Sequence, residues 1–348
     1  MTKLIFYIHL VFILVSCSKD NGVYISTESP LKIPELFRDN ILDPVIPIDN
    51  PQTIEGIALG KKLFFDPILS KGNNISCANC HSAKQAFSDS SRFSTGINNS
   101  LGDRNAMPLF NLAWHYDETF FWDGRSFSLE NQAFLPVINS KEMGNDNWLI
   151  VEKRLQEHDE YPELFLNAFG SKTIDSTLAV KAIAQFERSL ISSNSKFDNY
   201  LLGHTDLTTE ELSGFNIFMN EAKGDCFHCH GSDKNPLWTD NDFHNNGLDS
   251  VFKDLGLGKI TGDPADNGKF RTPSLRNLIF TAPYMHDGRF STLEEVINHY
   301  SEGLKNSKTI DPLMKRVSEG GVRLTPKEKS DLKAFLLTLS DFSFINDE

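Results

Sequence analysis

The chain has 348 residues, with 34 Lys and Arg against 47 Asp and Glu, a net charge of −13 and a hydrophobic fraction of 39%. That balance excludes the basic stripe of a nucleic-acid binder and the low hydrophobicity of a disordered chain, and the length suits two domains with cores of their own. Five cysteines, Cys17, Cys77, Cys80, Cys226 and Cys229, are too few and of the wrong parity for a disulfide-stapled scaffold.

Residues 1–16 read as a lipoprotein signal peptide. Lys3 precedes a mainly apolar run of twelve residues, Leu4 to Val15, short of the roughly 20 that span a bilayer. Leu14-Val15-Ser16-Cys17 resembles a bacterial lipoprotein box, with Cys17 as the lipidated mature N-terminus and membrane anchor; an ordinary signal with an incidental Cys is the other reading. Ser18-Lys19-Asp20 looks like the sorting signal of some surface lipoproteins. The expected location is the cell envelope, as a periplasmic or surface lipoprotein. Residues 17–52, punctuated by Pro30, Pro34, Pro44, Pro47 and Pro51, read as a tether, with a compact domain starting at Thr53.

Cys77-Ala78-Asn79-Cys80-His81 and Cys226-Phe227-His228-Cys229-His230 share the pattern Cys-x-x-Cys-His. Two thiols three residues apart reach the two vinyl groups of a c-type haem, and the adjacent His turns onto the iron as axial ligand. A zinc ribbon pairs its cysteines at much shorter spacing than the 145 residues between Cys80 and Cys226. A thioredoxin-type redox pair leaves both trailing His residues unexplained.

A second repeat follows each haem motif: Asp123-Gly124-Arg125-Ser126-Phe127-Ser128-Leu129-Glu130, then Asp287-Gly288-Arg289-Phe290-Ser291-Thr292-Leu293-Glu294. Capping boxes at Thr208 with Glu211, Ser291 with Glu294, and Thr325-Pro326 with Glu328 predict helix starts. Ala179, Ile183, Phe186 and Leu190 fall on one face of a helix expected to link the halves. The fold class is therefore mainly α, with two small helical haem domains in tandem, 53–200 and 201–348. The resemblance described next implies that both are cytochrome c-like, the N-terminal one peroxidatic and the C-terminal one electron-transferring.

From about Ile57 to Leu339 the sequence resembles the bacterial di-haem cytochrome c peroxidase / MauG family. The residues that carry the resemblance, besides the haem motifs, are Leu63-Phe64-Phe65-Asp66-Pro67, Arg104-Asn105, Phe121-Trp122-Asp123-Gly124-Arg125, Gln132, Glu142-Met143, Arg271-Thr272-Pro273-Ser274-Leu275-Arg276-Asn277 and Ala282-Pro283-Tyr284-Met285-His286-Asp287-Gly288. The resemblance implies two covalently bound c-type haems, a calcium ion between the domains, and reduction of hydrogen peroxide to water with electrons from a small cytochrome c or another reductant. It places Glu142 on the catalytic glutamate, Gln132 on the glutamine that orients peroxide, and Trp122 between the haems. His81 and His230 become the iron ligands of haems 1 and 2. Calcium falls to Asn105 and the carbonyls of Thr281 and Pro283, and hard oxygen donors suit that ion. Relatives are often homodimers.

The sequence departs from the family pattern at two positions. Many relatives carry an iron-blocking His sixteen residues after the haem-binding His; here that position is Ile97, which cannot ligate iron, so the first haem is expected to be five-coordinate, with His115 as the nearest substitute ligand. The sixth ligand of the second haem, Met in typical peroxidases and Tyr in MauG, falls on Tyr300, with Met285 as the alternative. Two other functions stay open: a MauG-like enzyme oxidising a protein or small-molecule substrate through a high-valent iron state, and a non-enzymatic electron-transfer cytochrome.

Overall fold

Short polar side chains set the helix starts. The computed structural model describes Tyr24 and residues 26–345, so the expected signal peptide and Cys17 lie outside the described residues. In chain order the helices are α1 (Glu35–Asn40), α2 (Ile54–Phe65), α3 (Leu129–Ile138), α4 (Trp148–Gln156), α5 (Tyr161–Phe169), α6 (Ser176–Ser189), α7 (Lys196–Leu201), α8 (Thr209–Phe218), α9 (Phe227–His230), α10 (Leu257–Thr261), α11 (Leu293–Asn298) and α12 (Pro326–Leu337). Two two-residue strands, β1 (Phe243–His244) and β2 (Phe270–Arg271), pair antiparallel with Phe243 opposite Arg271. The protein is thus mainly helical with little sheet, as expected. No helix among the described residues is long and apolar enough to cross a membrane.

Thr208 and Thr325 cap α8 and α12 through reciprocal bonds with Glu211 and Glu328, as predicted. The third box begins one residue later than predicted. Thr292 caps α11 with Glu295 as partner, because the Glu295 carboxylate takes the amides of both Ser291 and Thr292 while Glu294 pairs with Lys333. On α6, Ala179, Ile183 and Phe186 are buried, whereas Leu190 has already left the helix as its C-cap.

Two hydrophobic cores form. The first gathers Leu63, Phe64, Val151, Phe165, Ile183 and Phe186 around the α2–α6 crossing. The second gathers Phe197, Phe218, Trp238, Leu332 and Phe335 around the α8–α12 crossing. Each crossing is closed by a glycine: a Cβ at Gly60 would strike the carbonyl of Ala182, and one at Gly214 the carbonyl of Asp331. The Asp-Gly-Arg repeats also fold alike. Phe120 pairs with Ser126 and Tyr284 with Phe290 across turns with Gly124 and Gly288 at positive φ, and a helix capped by Ser128 or Thr292 follows each.

Residues 26–52, expected to be a tether, are packed onto the body instead. The prolines interrupt helix but leave apolar side chains free to bury. Phe37 on α1 is 1% exposed and meets Trp114 edge-on at 4.8 Å, in a cluster that also holds Leu237 from the second half. Asn50 and Gln52 are tied to Gln185 on α6. Since this strap joins both halves, Phe37→Ala is expected to lower the stability of the haem-loaded protein by about 3 kcal/mol, measured by denaturant unfolding.

Candidate functional site

The first Cys-x-x-Cys-His folds as a tight turn. Asn79 accepts from the Ser76 amide at 2.8 Å and from its hydroxyl at 3.0 Å, and the His81 amide closes the turn on the Cys77 carbonyl at 2.9 Å. His81 Nδ1 lies 3.0 Å from the carbonyl of Phe87, and burial lowers its pKa. A neutral imidazole donating from Nδ1 to that carbonyl leaves Nε2 with its lone pair, as an iron ligand requires. Cys77 and Cys80 are unbridged. Beside them opens a cavity of about 1200 Å³, larger than the roughly 300–1,000 Å³ of ordinary small-molecule pockets.

Gln132, Glu142 and Trp122 all line this cavity with Cys77, Cys80 and His81, so residues separated by up to 65 positions meet around it. Gln132 sits one turn before Pro136 on α3, and its Oε1 has no protein partner among the described residues. Glu142 Oε1 accepts from Asn139 Nδ2 at 2.7 Å. Burial raises the Glu142 pKa, with Arg125 and Asn139 opposing. Asn139 was not among the predicted site residues; its spacing of three from Glu142 in a turn was the available signal.

Ile97 does not block the cavity. Its side chain packs against Gly144, and its amide donates to the Glu142 carbonyl at 2.8 Å, so it braces the glutamate's own segment. His115, the suggested substitute ligand, also lines the cavity, with Nε2 3.1 Å from Asp117 and its ring stacked on Phe120 at 4.7 Å.

Trp122 joins the two halves. Its Nε1 donates to the carbonyl of Asn105 at 2.8 Å and its own carbonyl accepts from the Arg271 amide at 3.0 Å. Around it Arg104 bridges Asp123 and Asp254, an ion pair across the halves. Asn105 is tied to the loop that carries Thr281 and Pro283, its amide donating to the His286 carbonyl at 2.8 Å, while its side chain donates to Ser91.

The second motif is built on α9. Burial lowers the His230 pKa to about 4, and its Nδ1 is buried without a partner among the described residues. Tyr300 projects from a π-turn, His299–Gly303, a form that concentrates at functional sites. Asn246 Nδ2 stands 3.1 Å from the Tyr300 hydroxyl and 3.4 Å from Met285 Sδ, so both predicted sixth ligands converge on one point. Burial pushes Tyr300 up to about 12, with Cys229 and Cys226 of the second motif adding to the rise. Asn246 was invisible to motif reading because it lies 54 residues from Tyr300.

Cys229, Asp240 and His244 also bring metal-binding atoms together. The cysteine belongs to the second Cys-x-x-Cys-His motif, however, and His244 is held on both nitrogens by Asp240 at 2.9 Å and Asp311 at 2.6 Å.

The profile of a family described as di-haem cytochrome c peroxidase matches residues 54–206. The methylamine utilization protein MauG of Methylorubrum extorquens is 39% identical over 297 residues, covering 84% of this chain and 80% of that protein. The chain belongs to the di-haem cytochrome c peroxidase / MauG family. The cytochrome c551 peroxidase of Nitrosomonas europaea is 36% identical, covering 73% of this chain and 76% of that one. Among solved structures, a MauG-like protein associated with microbial copper homeostasis superposes with a TM-score of 0.78 at 36% identity, covering 88% of this chain and 95% of the other. This family member is thus a peroxidase-like oxidoreductase of the di-haem c type. The neutral imidazoles and the paired cysteines fit the two haems that the family implies, and the open cavity lies beside the first pair.

Proposed function

We propose that the protein reduces hydrogen peroxide to water with electrons from an external donor, a small cytochrome c or another reductant. The observation that carries this reading is the meeting of Glu142 and Gln132 with Cys77, Cys80 and His81 around one cavity. Haem, when bound at the two motifs, supplies the iron that exchanges electrons with peroxide and donor. The chain's residues supply the proton chemistry. Glu142 takes a proton from one peroxide oxygen and returns it to the other; its raised pKa brings it nearer the working pH, where such transfer is most effective. Gln132 accepts a hydrogen bond from peroxide and orients it.

In this reading two cytochrome c-like domains stand in tandem, 53–200 peroxidatic and 201–348 electron-transferring. The duplicated turns and the paired glycine crossings support that division. Ile97, which cannot ligate iron, would leave the first haem an open position, Trp122 would relay electrons across the junction, and Asn105 with the carbonyls of Thr281 and Pro283 would hold calcium. The leader and Cys17 place the protein in the envelope on a lipid anchor. Steady oxidation of reduced cytochrome c or a small-molecule donor, only when peroxide is added, is the expected result. Absence of turnover with either class of donor would overturn the peroxidase reading.

A MauG-like role has its own support in Tyr300. A phenolate is a hard, anionic donor that favours ferric iron, whereas a Met thioether raises the potential. Tyr300→Phe is therefore expected to change the spectrum of the second haem and raise its midpoint potential, while Met285→Leu leaves both near wild type. The reverse pattern assigns the sixth position to Met285. Spectroelectrochemical titration of the two variants makes the distinction.

A further inference from the structure

We propose that Glu187 holds the proton that balances each electron entering the first haem site, so that reduction there is coupled to proton uptake at this carboxyl. The inference rests on the reading of residues 77–81 as a haem site. Glu187 lies on α6, is 3% exposed, and forms part of the wall of the cavity that also meets Cys77, His81, Gln132 and Glu142. Its Oε2 is buried with no hydrogen-bond partner among the described residues.

The neighbouring cation does not neutralise it. Arg188 forks onto Glu130 of α3, at 2.7 and 3.0 Å. The charged and titratable groups around Glu187 are thus Arg188 on its own helix, Glu130 on α3 and Cys77 on the haem-motif turn. Burial pushes the carboxyl up to about 8, only partly opposed by Arg188. A unit change of charge about 8 Å away in a protein interior moves such a group by roughly one to two pH units. An electron added to a haem held at Cys77 would place new negative charge beside the same cavity wall.

Peroxide reduction consumes two electrons and two protons per molecule and yields two waters. Glu142 only relocates a proton that peroxide already carries, so the protons consumed must come from elsewhere. In the proposed step, at pH about 8 and above, where the carboxyl is ionised while the haem site is oxidised, one electron passes from the external reductant to the haem site and one proton passes from solvent to the Glu187 carboxylate. That proton leaves for product water when the electron is delivered to peroxide.

The test is a redox titration of the haem-loaded protein with infrared difference spectroscopy while the pH is taken through 8. Wild type is expected to show a first-haem midpoint that falls as pH rises, and a gain of protonated-carboxyl absorption on reduction. Glu187→Gln should flatten the pH dependence and lose the band, with the second haem unchanged. Unaltered pH dependence and band in Glu187→Gln would overturn the proposal. If that variant does not fold, the wild-type spectrum decides, since no carboxyl gain on reduction refutes it. A preparation with one haem per chain would instead mark failure of the underlying site reading.

Discussion

Glu142→Gln is expected to slow the reaction of the haem-loaded protein with hydrogen peroxide by about 10²–10⁴-fold, with haem content and fold unchanged. The substitution keeps the shape and the hydrogen bond from Asn139 but removes the group that can move a proton. Ionised Glu142 is the working base, so the wild-type rate should fall as pH drops through its pKa. Burial sets that pKa above the ordinary value of roughly 4.3, so the acid limb lies at higher pH than for an exposed glutamate. The variant loses that limb. Stopped-flow absorbance at several pH values reads both effects, and an unchanged rate with an unchanged acid limb would remove Glu142 from the chemistry.

Arg276→Ala is expected to cost about 3–5 kcal/mol of stability. Arg276 and Asp198 are 0% and 1% exposed and form a bidentate pair at 2.6 and 2.8 Å. Truncation leaves the aspartate buried and charged among neutral groups. Burial alone would raise the Asp198 pKa, but Arg276 and the Ser195 amide and hydroxyl hold it below the usual value. In wild type this depressed group stabilises the fold above the pKa of the unfolded chain, and that contribution fades as pH falls through the folded value. In the variant the sign reverses: with its cation gone, the carboxyl is raised, and protonating it relieves the strain. The cost of Arg276→Ala should therefore shrink as pH is lowered from 7 toward 4, and Arg276→Ala with Asp198→Asn should recover much of the loss. Denaturant unfolding across pH reports both. A cost that does not vary with pH would mean that lost packing on Phe37, which lies 5.5 Å below the guanidinium, outweighs the charge.

What the sequence made legible was what sits close together along the chain. The two Cys-x-x-Cys-His units, the capping boxes of α8 and α12 and the Asp-Gly-Arg repeat each need only a few consecutive residues, and the two boxes and the repeat fold locally as read. The box at α11 slipped by one residue because Ser291 and Thr292 can both cap, and only the competition between Lys333 and the turn amides for Glu294 and Glu295 decides. Glu142, Gln132 and Trp122 were reached through family resemblance. No spacing rule brings positions 122, 132 and 142 onto one cavity with His81. Asn246 beside Tyr300, Glu187 beside Cys77 and the Phe37 strap across both halves depend on packing between distant segments. Proline punctuation suggested a tether at 17–52, yet Phe37, Asn50 and Gln52 bury themselves because the surface they meet offers a hydrophobic socket and the amide of Gln185.

Electron paramagnetic resonance of the resting, fully oxidised holoprotein, repeated after addition of hydrogen peroxide without a donor, tests the central proposal most directly. One high-spin ferric haem beside one low-spin haem, with the high-spin signal lost on addition of peroxide, is the predicted result: an open iron on the cavity of Glu142 and Gln132. Two low-spin haems whose signals ignore peroxide would contradict it and leave an electron-transfer cytochrome.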